Sequence, residues 1–220
     1  PETRSSMWHC DVTDDGAWCI LSNSKDTDNK HRYYIASLDQ GVSSRMAWIP
    51  ISSQFLFMLD YIANDGTRFY MLTNKDAPNY RIVSFDVDPR AAQTVEHVCM
   101  LTGGIETYQD VVPEDKDGAI LTTAAVIDQN KLLAVYSRDV KDELWVFDLT
   151  TGERVTRLFP ELVGTISQLT GRRDHKESFV ASVSFANPGR VDRVSWEGVN
   201  SERAVPPASI TEYATCLLYT

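Results

Sequence analysis

Hydrophobic and polar residues alternate in short runs along this chain, and the runs come in pairs joined by tight polar turns. Trp8–Val12 turns through Asp14-Asp15-Gly16 and returns as Ala17–Leu21. Leu59–Ala63 turns through Asn64-Asp65-Gly66 and returns as Thr67–Leu72. Asp-Gly between two half-buried runs predicts a β-hairpin, because glycine accepts the positive φ of a tight hairpin turn. Two further pairs share the layout with weaker turns: Ala124–Ile127 through Asp128-Gln129-Asn130 into Leu132–Ser137, and Thr165–Thr170 past Arg172-Arg173-Asp174 into Glu177–Ser184.

Outer strands follow each hairpin. They are expected at Arg32–Ala36, at Tyr80–Phe85 with a further strand over Val95–Met100, at Glu143–Phe147 and Glu153–Leu158, and at Arg190–Ser195. Polar segments such as Ser22–Lys30 separate them as surface loops. The pattern predicts an all-β chain of about four repeated units, a β-propeller or a related array in which each unit buries its faces only against its neighbours. The repeats are unevenly spaced and lack a Trp-Asp signature, which argues against WD-type blades. Pro206-Pro207 breaks the pattern as a linker would, and Ile210–Tyr219 resumes a strand-like run.

Composition narrows the function. With 43% hydrophobic residues over 220 positions, the chain can build a core. A formal net charge of −10 argues against a nucleic-acid partner, which would require clustered Lys and Arg. No apolar run is long enough for a membrane-spanning helix, so no membrane partner is expected. Cys10, Cys19, Cys99 and Cys216 are scattered without a C-x-x-C pair and read as reduced thiols, with the cytoplasm as the expected compartment.

Candidate chemistry is sparse. No G-x-S-x-G nucleophile elbow occurs, and Gly41-Val42-Ser43-Ser44-Arg45 lacks its second glycine. His9, His31, His97 and His175 are far apart, so no metal and no cofactor are expected. The acidic pairs Asp14-Asp15, Glu114-Asp115 and Asp139/Asp142 stand in turns, where backbone-capping and solvated roles are expected rather than acid/base chemistry.

Four stretches in order resemble the propeller domain of the prolyl oligopeptidase family, serine peptidases that cut short peptides after proline. They are Leu72–Arg81 (LTNKDAPNYR), Tyr136–Leu149 (YSRDVKDELWVFDL), Thr151-Gly152 through Leu158-Phe159-Pro160 to Val163-Gly164, and Ser184–Gly189 (SFANPG). The resemblance covers nearly the whole chain and implies an all-β, partial β-propeller of about four blades, each a four-stranded antiparallel sheet: the second half of a seven-bladed propeller, about blades four to seven. It implies residues 1–205 as the propeller segment. Residues 206–220 become a linker and first strand toward an absent α/β-hydrolase domain, so that the chain stops as the peptidase domain begins.

The nucleophile, acid and base of the family lie in that further domain, so no catalytic residue is expected here and the chain alone should be inactive. The implied role is to wall and gate the peptidase cavity against all but short proline-containing peptides. One substrate contact is implied. Met7, before the Asp-Asp-Gly hairpin, stands where the family has a cavity-lining Met. The competing role for Met7 is gap filling between blades. A family Cys after the same hairpin falls within Ser24–Thr27 and is replaced here. The alternative function is a non-catalytic propeller that scaffolds protein partners.

Overall fold

A computed structural model of the protein describes residues 6–185, 189–199 and 204–215. It is all-β, with strands gathered into four antiparallel sheets. The chain divides into two compact units, Pro1–Pro78 with Ile82–Asp110 and Asn79–Arg81 with Val111–Thr220.

In the first unit, β1 (Ser6–Val12), β2 (Trp18–Lys25), β3 (His31–Ser37) and β4 (Ala47–Ser52) form one sheet in that order. The next sheet begins with β5 (Leu59–Asp65), β6 (Arg68–Thr73) and β7 (Arg81–Asp86). Its fourth strand is β9 (Gln109–Val112), reached through a long excursion in which β8 (Gln93–Thr94) adds a fifth strand to the first sheet. The strand expected over Val95–Met100 therefore does not form. Residues 98–100 make a single 3-10 turn without a buried side chain, and the sheet is completed by β9 instead. β4 lies where the sequence pattern predicts no strand, and it carries a proline. Pro50 sits where the β3–β4 register shifts, a bulge that tolerates a residue without an N–H.

Trp18, Ile20, Tyr33, Ile35, Ile49 and Ile51 project from one face of the first sheet into Leu59, Phe69, Met71, Val83 and Phe85 of the second. Phe69 is fully buried. Phe85 stacks on it at 5.9 Å, and Trp18 meets its edge at 5.7 Å. The two hairpin turns are also bonded to each other. Asn64 Nδ2 donates to Asp15 Oδ2 (2.6 Å), and Trp18 Nε1 donates to the Gly66 carbonyl (3.1 Å).

The second unit repeats the plan. β10 (Ile120–Ile127), β11 (Lys131–Arg138), β12 (Lys141–Asp148) and β13 (Arg154–Leu158) form one sheet. β14 (Thr165–Gly171), β15 (Glu177–Val183), β16 (Arg190–Ser195) and β17 (Ser209–Thr215) form the other. Ile127, Leu133, Val135, Leu144 and Val146 pack on Ile166, Val180, Val194 and Trp196. Gly171 permits the approach, since a Cβ there would lie 1.8 Å from Ile127 Cδ1. The turns are again tied: Asp128 N–H donates to the His175 carbonyl (2.8 Å), and Gln129 N–H to the Arg173 carbonyl (2.9 Å). Under the first turn, Lys131 and Asp128 form a buried ion pair at 2.7 Å.

The strand-like run expected beyond the 206–207 prolines is present in part as β17. It pairs antiparallel with β16 rather than standing apart as an exit strand, because its polar backbone groups find partners on the open edge of β16. The sheet thus extends past residue 205. Residues 216–220, the remainder of that run, lie outside the described residues, as do Cys216 and positions 186–188 of the fourth motif.

Burial alone would raise the Asp15 carboxyl, but hydrogen bonds from Thr13, Ala17 and Asn64 hold it below the usual carboxylate range. A carboxyl depressed on folding stabilises the fold above its unfolded pKa of about 3.9, and that contribution is lost as pH falls through the folded value. Asp15→Asn should therefore lower the melting temperature at pH 7 by about 2–4 °C, for a cost of ~1 kcal/mol. The gap from wild type should close in acid. An equal gap at every pH would mean that the carboxylate charge has no part in the turn contact.

Candidate functional site

β1 is the edge strand of its sheet, paired only with β2. Its register sets Met7 against Ser24, His9 against Ser22 and Asp11 against Ile20. Ile20 belongs to the core, so Met7, His9 and Asp11 share the face turned toward the second sheet. Met7 is 60% exposed, and its carbonyl accepts a hydrogen bond from Asn23 Nδ2 (3.2 Å). Asp60 of β5 lies within the field of this row. Desolvation by the surrounding protein pushes its carboxyl up, His31 and His9 draw it down, and Asp11 adds a smaller upward push. Tyr33, buried beside them, has its phenol raised well above the ordinary value, by burial first and then by Asp60.

In the second unit the edge strands β10 and β14 are similarly open. β14 exposes Thr165, Ser167, Gln168 and Thr170. Such edges offer hydrogen-bonding groups to an extended peptide, and no element of acyl-transfer chemistry. The same unit holds a cleft of about 620 Å³ with apolar walls from Phe159, Pro160, Leu162, Val180 and Phe185. Arg190 and Asp192 line it as a closed pair, with Arg190 Nε donating to Asp192 Oδ2 at 2.8 Å.

Four of the acidic residues singled out, Asp15, Glu114, Asp115 and Asp142, accept hydrogen bonds from backbone N–H groups, although Asp142 does so from strand β12 rather than from a turn. Asp15 accepts from Ala17 N–H (3.0 Å), and Glu114 from Asn79 N–H (2.6 Å). Asp115 accepts from Asp117 and Ala119 N–H and pairs with Arg138 at 3.0 Å. Asp142 is buried, accepts from Ile166 N–H (2.7 Å), and so joins the two sheets of its unit. Among the described residues no three His, Cys, Asp or Glu side chains converge as a metal site.

The sequence motifs prove to be joints of the same kind. Thr73 Oγ1 donates to the Met58 carbonyl (2.6 Å), and Asn74 Oδ1 accepts from Met58 N–H (2.7 Å). Asn74 Nδ2 reaches the Asn29 carbonyl of the first sheet's loop (3.1 Å). Asp148 accepts from Thr150 and Thr151 N–H, and also from Ala204 N–H (3.1 Å). These residues fix how one sheet meets the next, which is why they mark a fold.

A family model described as the prolyl oligopeptidase N-terminal β-propeller domain matches residues 1–202. The chain belongs to that family. Prolyl oligopeptidase A of Amanita bisporigera is 32% identical over 90% of this chain and 24% of its own length. The dual-function macrocyclase-peptidase of Galerina marginata is 27% identical over 90% of this chain and 25% of its own length. The apo structure of prolyl oligopeptidase B from Galerina marginata superposes with a TM-score of 0.78 at 26% identity, covering 96% of this chain and 27% of that one. The chain thus spans about a quarter of the length of the curated relatives it matches. Its four sheets are propeller blades. No helix among the described residues is long and apolar enough to cross a membrane.

If the motif carboxylates are joints, removing one should cost stability. Asp142→Ala leaves the buried Ile166 N–H without its acceptor and should destabilise the protein by ~1–3 kcal/mol. Lys141→Ala, at the exposed neighbour, should stay within ~0.5 kcal/mol. Denaturant melts of the two variants check this, and equal midpoints would remove Asp142 from the interface.

Proposed function

We propose that this chain forms part of the wall and gate of a prolyl oligopeptidase-type serine endopeptidase that cleaves short peptides after proline. The observation that carries the reading is the family match over residues 1–202, with relatives about four times as long as the matched span. Prolyl oligopeptidase B from Galerina marginata has been solved bound to a 35mer hydrolysis and macrocyclization substrate, so a peptide is the ligand to expect. In this reading the propeller segment, expected over residues 1–205, runs on through β17, and the chain beyond β17 leads toward an α/β-hydrolase domain that supplies acyl transfer. The physical gain is a water-restricted cavity whose entry rejects folded proteins by size. Cytoplasmic residence belongs to the same reading and is supported by the free thiols of Cys10 and Cys19.

Met7 is the residue of this segment proposed to line the substrate cavity. Its open position on an edge strand, beside the polar row of His9 and Asp11, supports that role. In the complete enzyme, Met7→Ala should raise KM for a short Gly-Pro reporter several-fold, with a melting temperature close to wild type. A gap-filling Met would behave in the opposite way: a buried Met→Ala costs ~2–5 kcal/mol of stability. Loss of that stability with an unchanged KM would contradict the assignment. Cleavage of a reporter sequence embedded in a folded protein at the rate of the free peptide would contradict the gating role.

A further inference from the structure

Two thiols of the first hairpin touch. Register sets Cys10 against Leu21 and Cys19 against Val12, so the cysteines are diagonal neighbours on one face of the β1–β2 pair. Their sulfur atoms are 3.4 Å apart, and neither is bridged. They differ in access, since Cys10 is exposed and Cys19 is buried. This face is the one opposite the Met7 row, so the pair lies outside the proposed substrate contact.

We propose that Cys10 and Cys19 are a redox-active dithiol that closes to a reversible disulfide on meeting a low-molecular-weight disulfide of the glutathione type. The exposed Cys10 thiolate attacks one sulfur of the oxidant and releases one thiol, leaving a mixed disulfide on Cys10. The Cys19 thiol then gives up its proton to solvent, attacks Cys10 Sγ and expels the second thiol. Two protein thiols and one external disulfide become one protein disulfide and two external thiols, so electrons and protons balance. Closure needs the sulfur atoms to move from 3.4 Å to bonding distance of about 2.05 Å, within reach of side-chain rotation and a small strand shift. The bond would pin β1 to β2 at the open edge of the sheet.

Burial, and secondarily Cys10 itself, pushes the Cys19 thiol up to about 12. Only the thiolate attacks, so ring closure is the slow step near neutral pH. Followed from the preformed mixed disulfide, closure should quicken about tenfold per pH unit between about pH 7 and 9.

The test is mass spectrometry of the protein after exposure to glutathione disulfide. Trypsin leaves both cysteines within residues 5–25, so an Asp-directed protease that cuts between them is needed to reveal the link. The expected product is a Cys10–Cys19 cross-link that dithiothreitol reverses. Cys19→Ser should instead accumulate a stable glutathione adduct on Cys10, and Cys10→Ser should leave Cys19 unmodified. A persistent adduct on Cys10 with Cys19 free in the wild-type protein would overturn the proposal. So would a cross-link to Cys99, or no reaction at Cys10.

Discussion

Every blade in this protein depends on apolar burial against the neighbouring blade of its unit. A single four-stranded sheet carrying Trp18, Ile20, Tyr33 and Ile35 on one face would expose them all to water. At roughly 25 cal/mol per Å² of apolar surface, no set of ladder hydrogen bonds offsets such exposure. Phe69 is the centre of the solution in the first unit. Its ring meets Trp18 from the adjacent sheet, Tyr61 from its own hairpin, and Phe85 from the neighbouring strand β7. Trp196 and Val194 face Leu133 and Val146 to the same end in the second. Polar contacts add direction to this burial. Bonds between hairpin turns and the carboxylate caps of Asp15 and Asp142 fix one register of contact among those that greasy faces alone would allow.

That division of labour explains what the sequence could and could not announce. The Asp-Gly turns and alternating runs are local, so the central hairpins appeared where expected. β4 was hidden because Pro50 is tolerated at a bulge that only the partner strand reveals. β9 was missed because Gln109–Val112 is short and mostly exposed, without an apolar alternation. The strand expected at Val95–Met100 had apolar residues but no partner edge, and its residues 98–100 coil into a 3-10 turn.

The site was less legible than the fold. The openness of Met7 follows from its place on an edge strand, which its position before the first hairpin does suggest. The field around Asp60 needs two sheets to meet, and no spacing along the chain encodes it. The Cys10–Cys19 contact is an intermediate case: the hairpin register alone makes the two residues diagonal neighbours, whereas the sulfur separation required coordinates. The family motifs were visible because they are joints, with side chains fixed by what they cap. For the same reason they specify architecture.

Amide hydrogen exchange of wild type and Phe69→Ala tests this dependence most directly. Truncating a buried phenylalanine costs ~3–5 kcal/mol, and the question is which strands lose protection. If the sheets of the first unit stand only together, amides of β2 and β3 should lose protection by the same free energy as those of β6 and β7. Retention of wild-type protection in β2 and β3, with loss confined to β6 and β7, would show that each sheet is stable by itself and would contradict the account.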